Sequence, residues 1–288
     1  MSSDVDFLEG LLYLEEIDFP TYYSPGAKER ALELAIITKN PVHYLDEFFK
    51  KKVQNRLLEL SEEDWTKRIR FPYGFIVARR NNYIWYPEAK EDNPAFKELV
   101  PYYENSPEDV RQELSKLLGN SDSPFLFSLL KLYEILLVHE LCHNYNRENN
   151  VNIKLKWFSE LFPDYVNYAF LKRYEKENPF DLHLFELLSK ILYFGGHGIV
   201  KHKSIEDFEA LYWRVGFANY LWYQGWFNMG VMDLYRMFGE SLIENVISLY
   251  QSESGFDSSS EKLVARLNKE MDGVQGWYDE WVQQKSEL

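Results

Sequence analysis

The sequence predicts a mostly helical α+β protein, with a small mixed α/β lobe over residues 1–120 and a helical lobe over residues 121–288. Residues 74–86, GFIVARRNNYIWY, form two runs rich in aromatic and β-branched residues around Arg80-Asn81-Asn82, which is typical of a β-hairpin. From Ser106 onward, apolar residues recur at helical spacing along almost the whole chain. A polar loop at residues 120–124 ends in Ser123-Pro124, a helix-start signal, and sets the lobe boundary.

The elements follow from local signals. Helical patterns cover about residues 25–39 and 42–52, and Pro41 predicts the boundary between them. Residues 53–60 are a candidate strand. The helix that starts after the 120–124 loop should run to about residue 144. Further helices are expected at about 157–176, 180–194, 204–214, 216–237, 239–251 and 260–270, with a break at Gly195-Gly196-His197-Gly198.

The charge and the cysteine content narrow the class of protein. The chain has 288 residues and a formal net charge of −14, which argues against nucleic acid and anionic membranes as partners. The acidic start lacks a signal-peptide pattern, and no apolar stretch is long enough to span a membrane. Because Cys142 is the single cysteine, an internal disulfide is excluded. We therefore expect a cytoplasmic protein.

One motif points to metal chemistry. His139-Glu140-Leu141-Cys142-His143 is an H-E-x-x-H sequence in the second half of a predicted helix. The i, i+4 spacing places both imidazoles on one helix face, where they can bind one metal ion. Glu140 then lies within reach of a water molecule on that ion. The alternative is that both histidines are ordinary helix residues satisfied by hydrogen bonds.

A third ligand is expected on the next helix. Glu160 follows His143 after sixteen residues, which is enough for a loop and a returning helix. Asp164 lies one turn further on the same face, where it can hydrogen-bond to a metal-bound histidine. Pro163 should lie in a first turn or kink this helix. Without the motif upstream, Glu160 and Asp164 would be read as an exposed polar pair.

These residues resemble the gluzincin branch of zinc metallopeptidases, which includes the thermolysin and aminopeptidase types, and most of all its peptidase MA-like domains. There, H-E-x-x-H is followed by W-x-x-E-G-x-A-x-Y. Trp157, Glu160 and Tyr165 match this segment, whereas Leu161 and Pro163 replace its glycine and alanine. The resemblance implies a zincin-like fold, a cleft lined by the hairpin, and one zinc ion per chain held by the histidine pair and the matched glutamate.

The resemblance also implies a function for the protein and roles for individual residues. We expect zinc-dependent hydrolysis of peptide bonds in a peptide or protein substrate, with Glu140 as the general base. The family takes the donor that stabilises the oxyanion from a helix after the third ligand. Tyr223 is the first candidate for that donor, and Tyr220 and His197 are the others. The main alternative is a catalytically inactive zincin-fold binding protein, with or without zinc. A helical interaction protein with an accidental motif is a third possibility.

Overall fold

The computed structural model describes residues 7–88, 94–119 and 131–284. Over these residues the protein is mostly helical with a small mixed sheet, which confirms the predicted α+β class. The sheet has the order β1-β2-β3-β5-β4. Its strands are β1 (Leu12–Tyr13), β2 (Thr21–Tyr23), β3 (Arg56–Leu60), β4 (Val77–Arg79) and β5 (Tyr83–Pro87).

The predicted hairpin is confirmed and lies at one end of the sheet. β4 pairs antiparallel with β5, with Ala78 opposite Ile84. The turn contains Asn81 and Asn82, both with positive φ, a conformation that asparagine tolerates better than most residues. β5 and β2 both run parallel to the central strand β3, whereas β1 is antiparallel to β2. Among the strands described here, β4 is therefore an edge strand.

The helices account for most of the molecule. Those before the motif are α1 (Lys28–Ile37), α2 (Lys39–Phe48), α3 (Glu62–Arg68), α4 (Pro94–Asn105) and α5 (Glu108–Leu117). Those from the motif onward are α6 (Leu137–Glu148), α7 (Lys156–Arg173), α8 (Pro179–Gly196), α9 (Ile205–Leu211), α10 (Phe217–Phe238), α11 (Ser241–Ser252), α12 (Ser260–Glu270) and α13 (Val274–Gln284). The predicted start of the motif helix falls in residues 120–130, which lie outside the described part.

The structure places two prolines within helices, Pro41 in α2 and Pro163 in α7. The α1–α2 boundary falls at Thr38, and Pro41 lies in the first turn of α2, where a missing N–H costs no helical hydrogen bond. Pro163 lies well inside α7, which continues through it to Arg173. At that position a proline cannot donate to the carbonyl of Ser159, so α7 lacks one backbone hydrogen bond between the two carboxylates of interest.

The two faces of the sheet pack differently. Leu57, Ile84 and Tyr86 face the helices and belong to one large apolar core. That core continues through α6, α7, α8 and α10 to Trp281 in α13. Leu58 and Trp85 point to the opposite face, where they form a smaller core with α3. The hairpin is thus fixed from both sides.

Helices α4 and α5 pack against α8, although they precede the expected lobe boundary near residue 120. The predicted break at Gly195-Gly196-His197-Gly198 is confirmed, but α8 ends at Gly196, two residues later than expected, and so includes Gly195. A Cβ atom on Gly195 would lie 1.9 Å from the carbonyl oxygen of Tyr102 in α4. Glycine is therefore required there for close helix packing. No helix in the described part of the chain is long and apolar enough to cross a membrane.

Candidate metal centre

The motif histidines lie one turn apart on α6 and face the same point. Their Nε2 atoms are 3.1 Å apart. The His139 side chain is buried, with 6% of its surface exposed, whereas the His143 side chain is 24% exposed. The structure therefore brings the two imidazoles together as the spacing predicted, with one side of the pair open.

Helix α7 packs against α6 and adds a carboxylate to the pair. Oε2 of Glu160 lies 3.6 Å from Nε2 of His139 and 4.0 Å from Nε2 of His143. The three residues form a cluster whose ligand atoms all lie within 4.8 Å of one another. Atoms about 2.0–2.1 Å from a tetrahedral zinc ion lie about 3.3 Å apart, so the arrangement fits zinc with small side-chain shifts. Two histidines and one glutamate are also a donor set used by catalytic zinc sites.

Asp164 lies behind this cluster, on the side away from the open face. Its Oδ1 is 2.6 Å from Nδ1 of His139, and its side chain is fully buried. Burial opposes protonation of His139, yet the neighbouring Asp164 carboxylate raises the pKa of that imidazole well above its usual value. A proton held on Nδ1 by Asp164 leaves Nε2 free to bind a metal ion.

Three side chains that follow α7 in the chain hold the Glu160 carboxylate. The Tyr212 hydroxyl donates to Oε1, and the Tyr220 hydroxyl donates to Oε2 at 3.0 Å. The Gln224 amide donates to Oε2 at 3.4 Å. Burial would raise the pKa of Glu160, but its contacts with His139, His143 and Tyr212 outweigh burial and lower that pKa to about 2. The carboxylate is therefore ionised and fixed in place.

Glu140 lies on the open side, next to the edge strand. Its Oε2 accepts a hydrogen bond from the backbone N–H of Ala78 in β4. Burial raises the pKa of Glu140 to about 7, although the imidazole of His139 and the Ala78 amide act in the opposite direction. A carboxyl group with a pKa close to neutrality can both take up and release a proton under physiological conditions.

Of the three oxyanion-donor candidates, the structure brings Tyr220 to the cluster and leaves the preferred one, Tyr223, elsewhere. The buried Tyr223 hydroxyl donates to the carbonyl of Ser204 at 2.8 Å, and its ring packs against Phe208. Tyr220 and Gln224 are four residues apart on one face of α10 and both reach Glu160, whereas Tyr223 packs against Phe208 in α9. In this structure the Tyr223 hydroxyl therefore contacts Ser204 and not Glu160.

The third candidate, His197, lies just after α8, where its Nε2 is 3.2 Å from Nζ of Lys203.

Two of the three side chains that donate to Glu160 were not predicted from the sequence. Tyr212 and Gln224 lie in a stretch rich in aromatic residues, 212–227, whose composition is typical of a buried helix. The i, i+4 relation between Tyr220 and Gln224 was the available signal for one of them.

Comparison of the chain with family models, with curated proteins and with solved structures found no match. The resemblance to gluzincins therefore depends on the sequence motifs quoted above. The geometry of the cluster is an independent observation about this chain.

Proposed function

We propose that this protein is a zinc-dependent hydrolase of peptide bonds. The observation that carries the proposal is the convergence of His139, His143 and Glu160, with Asp164 behind the first histidine and Glu140 on the open side. A purely structural histidine pair does not require a buried carboxylate held ionised beside it.

His139, His143 and Glu160 would hold the zinc ion through Nε2, Nε2 and Oε2. When bound, zinc makes a water molecule acidic near neutral pH and polarises a carbonyl group. The site suits such an ion because its donor atoms are two imidazole nitrogens and one carboxylate oxygen, and because His143 leaves one side accessible.

Glu140 would act as the general base. Its carboxylate removes a proton from the attacking water and later delivers that proton to the leaving amine nitrogen. Because Ala78 N–H occupies Oε2, the other oxygen, Oε1, is the atom available for this transfer. The raised pKa of Glu140 suits both the uptake of a proton from water and its later release to the amine nitrogen.

Two further features suit a peptide substrate. β4 is an edge strand of the described sheet, so an extended peptide can lie along it beside Glu140. Its main-chain hydrogen bonds would replace the contacts of Ala78 N–H with Glu140 and of the Arg79 carbonyl with Arg147. The Tyr220 and Tyr212 hydroxyls are the donors nearest to Glu160, and we propose Tyr220 as the first candidate to stabilise the oxyanion.

The proposal is tested by metal content and by turnover. Elemental mass spectrometry of protein purified without added zinc or chelator should give about one zinc per chain, and Glu160→Ala should lose it. Glu244→Ala, an exposed glutamate on α11, is the matched control and should keep the metal. An absence of metal even after zinc is offered at neutral pH would overturn the proposal.

Glu140→Gln separates metal binding from chemistry. The substitution should leave the zinc content unchanged and abolish cleavage of a broad peptide library, measured by mass spectrometry of the products. Stoichiometric zinc in the wild-type protein with no cleavage of any peptide would favour a zincin-like binding protein without catalysis. Full activity of Glu140→Gln would contradict the role of this residue.

A further inference from the structure

Arg79 is a half-buried cation without a carboxylate partner in the part of the chain that the structure describes. It is the last residue of β4, and its guanidinium carbon lies 4.9 Å from the ring centroid of Phe71. Its Nε atom is buried and donates to no acceptor among the described residues. Burial lowers the pKa of this guanidinium, whereas Glu140 and Tyr212 raise it. Arg79 directly follows Ala78, whose N–H donates to Glu140 beside the metal cluster.

A second arginine lies beside it. Arg147 follows His143 by one turn of α6, and its Nη2 donates to the backbone oxygen of Arg79 at 2.9 Å. The same nitrogen donates to the side-chain oxygen of Asn144. Both acceptors are neutral. Burial and the nearby Arg79 lower the pKa of Arg147, and Glu140 and Glu148 raise it. The hydrogen bond to the Arg79 carbonyl places Arg147 beside the end of β4.

This neighbourhood contrasts with the rest of the molecule. The chain carries 46 acidic against 32 basic residues, and five arginines in the described ranges form ion pairs with carboxylates: Arg30, Arg68, Arg173, Arg236 and Arg266. The acidic group acting on both Arg79 and Arg147 is Glu140, whose Oε2 is held by Ala78 N–H. The open side of the site therefore has cationic groups available for an incoming anion.

We propose that Arg79, with Arg147 beside it, binds a carboxylate of the peptide substrate and makes the protein selective for peptides that present one near the cleaved bond. A guanidinium group matches a carboxylate with two parallel hydrogen bonds, and the buried Nε would gain the acceptor that it lacks. The inference rests on the proposed function for the identity of the ligand as a peptide.

The position of Arg79 also sets where the carboxylate should lie. Arg79 directly follows Ala78, whose N–H contacts the proposed base. A strand advances about 3.3 Å per residue, so a peptide paired with β4 would bring to Arg79 a carboxylate within about two residues of the scissile bond. Two carboxylates are available there: the α-carboxylate of a chain end, or an Asp or Glu side chain.

Titration calorimetry with zinc-loaded Glu140→Gln protein tests the proposal, because bound peptides are then not cut. Four probes form two matched pairs: N-acetyl-tetra-alanine as the free acid and as the amide, and N-acetyl-Ala-Glu-Ala-Ala-amide with its Gln analogue. At least one acidic probe should bind about tenfold more tightly than its neutral partner, as expected for a charge-assisted contact. The pair that shows the preference identifies the carboxylate.

Substitutions made in the Glu140→Gln protein show which arginine causes the preference for acidic probes. Arg79→Gln should abolish the preference, Arg147→Gln should weaken it, and Arg79→Lys, which keeps the charge but loses the planar fork, should retain part of it. Arg236→Gln, an exposed arginine on α10, is the control and should change nothing. Zinc content and circular dichroism show whether each variant is folded.

Equal or undetectable binding of all four probes by the parent protein would overturn the inference. So would a preference that survives both Arg79→Gln and Arg147→Gln. These failures are distinct from a failure of the proposed function. A protein that cleaves peptides without preferring acidic ones retains the peptidase assignment, whereas a carboxylate preference without zinc or cleavage leaves an anion-binding site alone.

Discussion

Asp164 is the residue whose contribution is simplest to isolate, because it touches the candidate ligand His139 and lies outside the candidate cluster itself. Asp164→Asn keeps the shape of the side chain but removes the charge that orients the His139 imidazole. Loss of such a partner usually lowers metal affinity about 10–100-fold. Competition against a zinc-binding dye should show this loss. Asp279→Asn, an exposed aspartate on α13, should bind zinc like the wild type, and equal affinities of all three proteins would contradict the role of Asp164.

The buried carboxyl group of Glu59 leads to a prediction of how the stability of the protein depends on pH. This β3 residue is buried, and neither carboxyl oxygen has a hydrogen-bond partner among the described residues. Burial raises the pKa of Glu59 well above its usual value, even though Arg30 opposes the shift. The folded state therefore favours the protonated form, and the wild-type protein loses stability as the pH rises from the unfolded pKa, about 4.3, towards the folded pKa.

Glu59→Gln removes this ionisation, so the variant should gain stability relative to the wild type as the pH rises from about 4.5 to 8. The gain approaches tenfold in the unfolding equilibrium constant for each unit between the two pKa values. Urea unfolding at both ends of the range measures it. The exposed Glu63→Gln is the control, and a difference between Glu59→Gln and wild type that does not change with pH would refute the assignment.

At the level of elements, the contact between α4 and α8 depends on a missing side chain. Gly195→Ala would place a methyl group against the Tyr102 carbonyl. This clash can be relieved only if the backbones of α4 and α8 move apart. Overpacking of this kind costs about 1–3 kcal/mol. Gly276→Ala is the same change inside α13, where a Cβ meets nothing within 4 Å. It should stabilise the protein by up to about 1 kcal/mol. Denaturant unfolding should therefore show a lower free energy of unfolding for Gly195→Ala and a higher one for Gly276→Ala, each relative to the wild type.

The helices and strands also show which parts of the fold could be predicted from the sequence. The long helices and the hairpin were predictable because their apolar spacing and turn residues repeat over many positions. β1 and β2 were not, since two or three residues cannot display an alternating pattern. In the candidate site, Glu160 and Asp164 follow from spacing on one helix. Tyr212 could not be found, because its contact with Glu160 spans 52 residues and depends on how α9 meets α7.

For the whole molecule, the candidate ligands join α6 to α7 inside the large core. A metal that binds the folded state but not the unfolded chain should raise the thermal unfolding midpoint. The gain is about 2.7 kcal/mol at a free zinc concentration one hundred times Kd. Differential scanning calorimetry with zinc and then with a chelator should show a reversible shift in the wild type and none in Glu160→Ala. An equal shift in both proteins would place the zinc elsewhere.

The hydrogen bond from Tyr212 to Oε1 of Glu160 has a consequence for denticity. A carboxylate with both oxygens free can chelate an ion and fill two coordination positions. Here Tyr212 holds Oε1, while Oε2, which also accepts from Tyr220 and Gln224, is the oxygen that lies near both histidine Nε2 atoms. Glu160 would therefore act as a monodentate donor through Oε2. Together with two imidazoles this gives three protein donors, and a tetrahedral ion would keep one position for an exchangeable ligand. The phenol of Tyr212 would thus help to keep one coordination position of the proposed centre open to substrate.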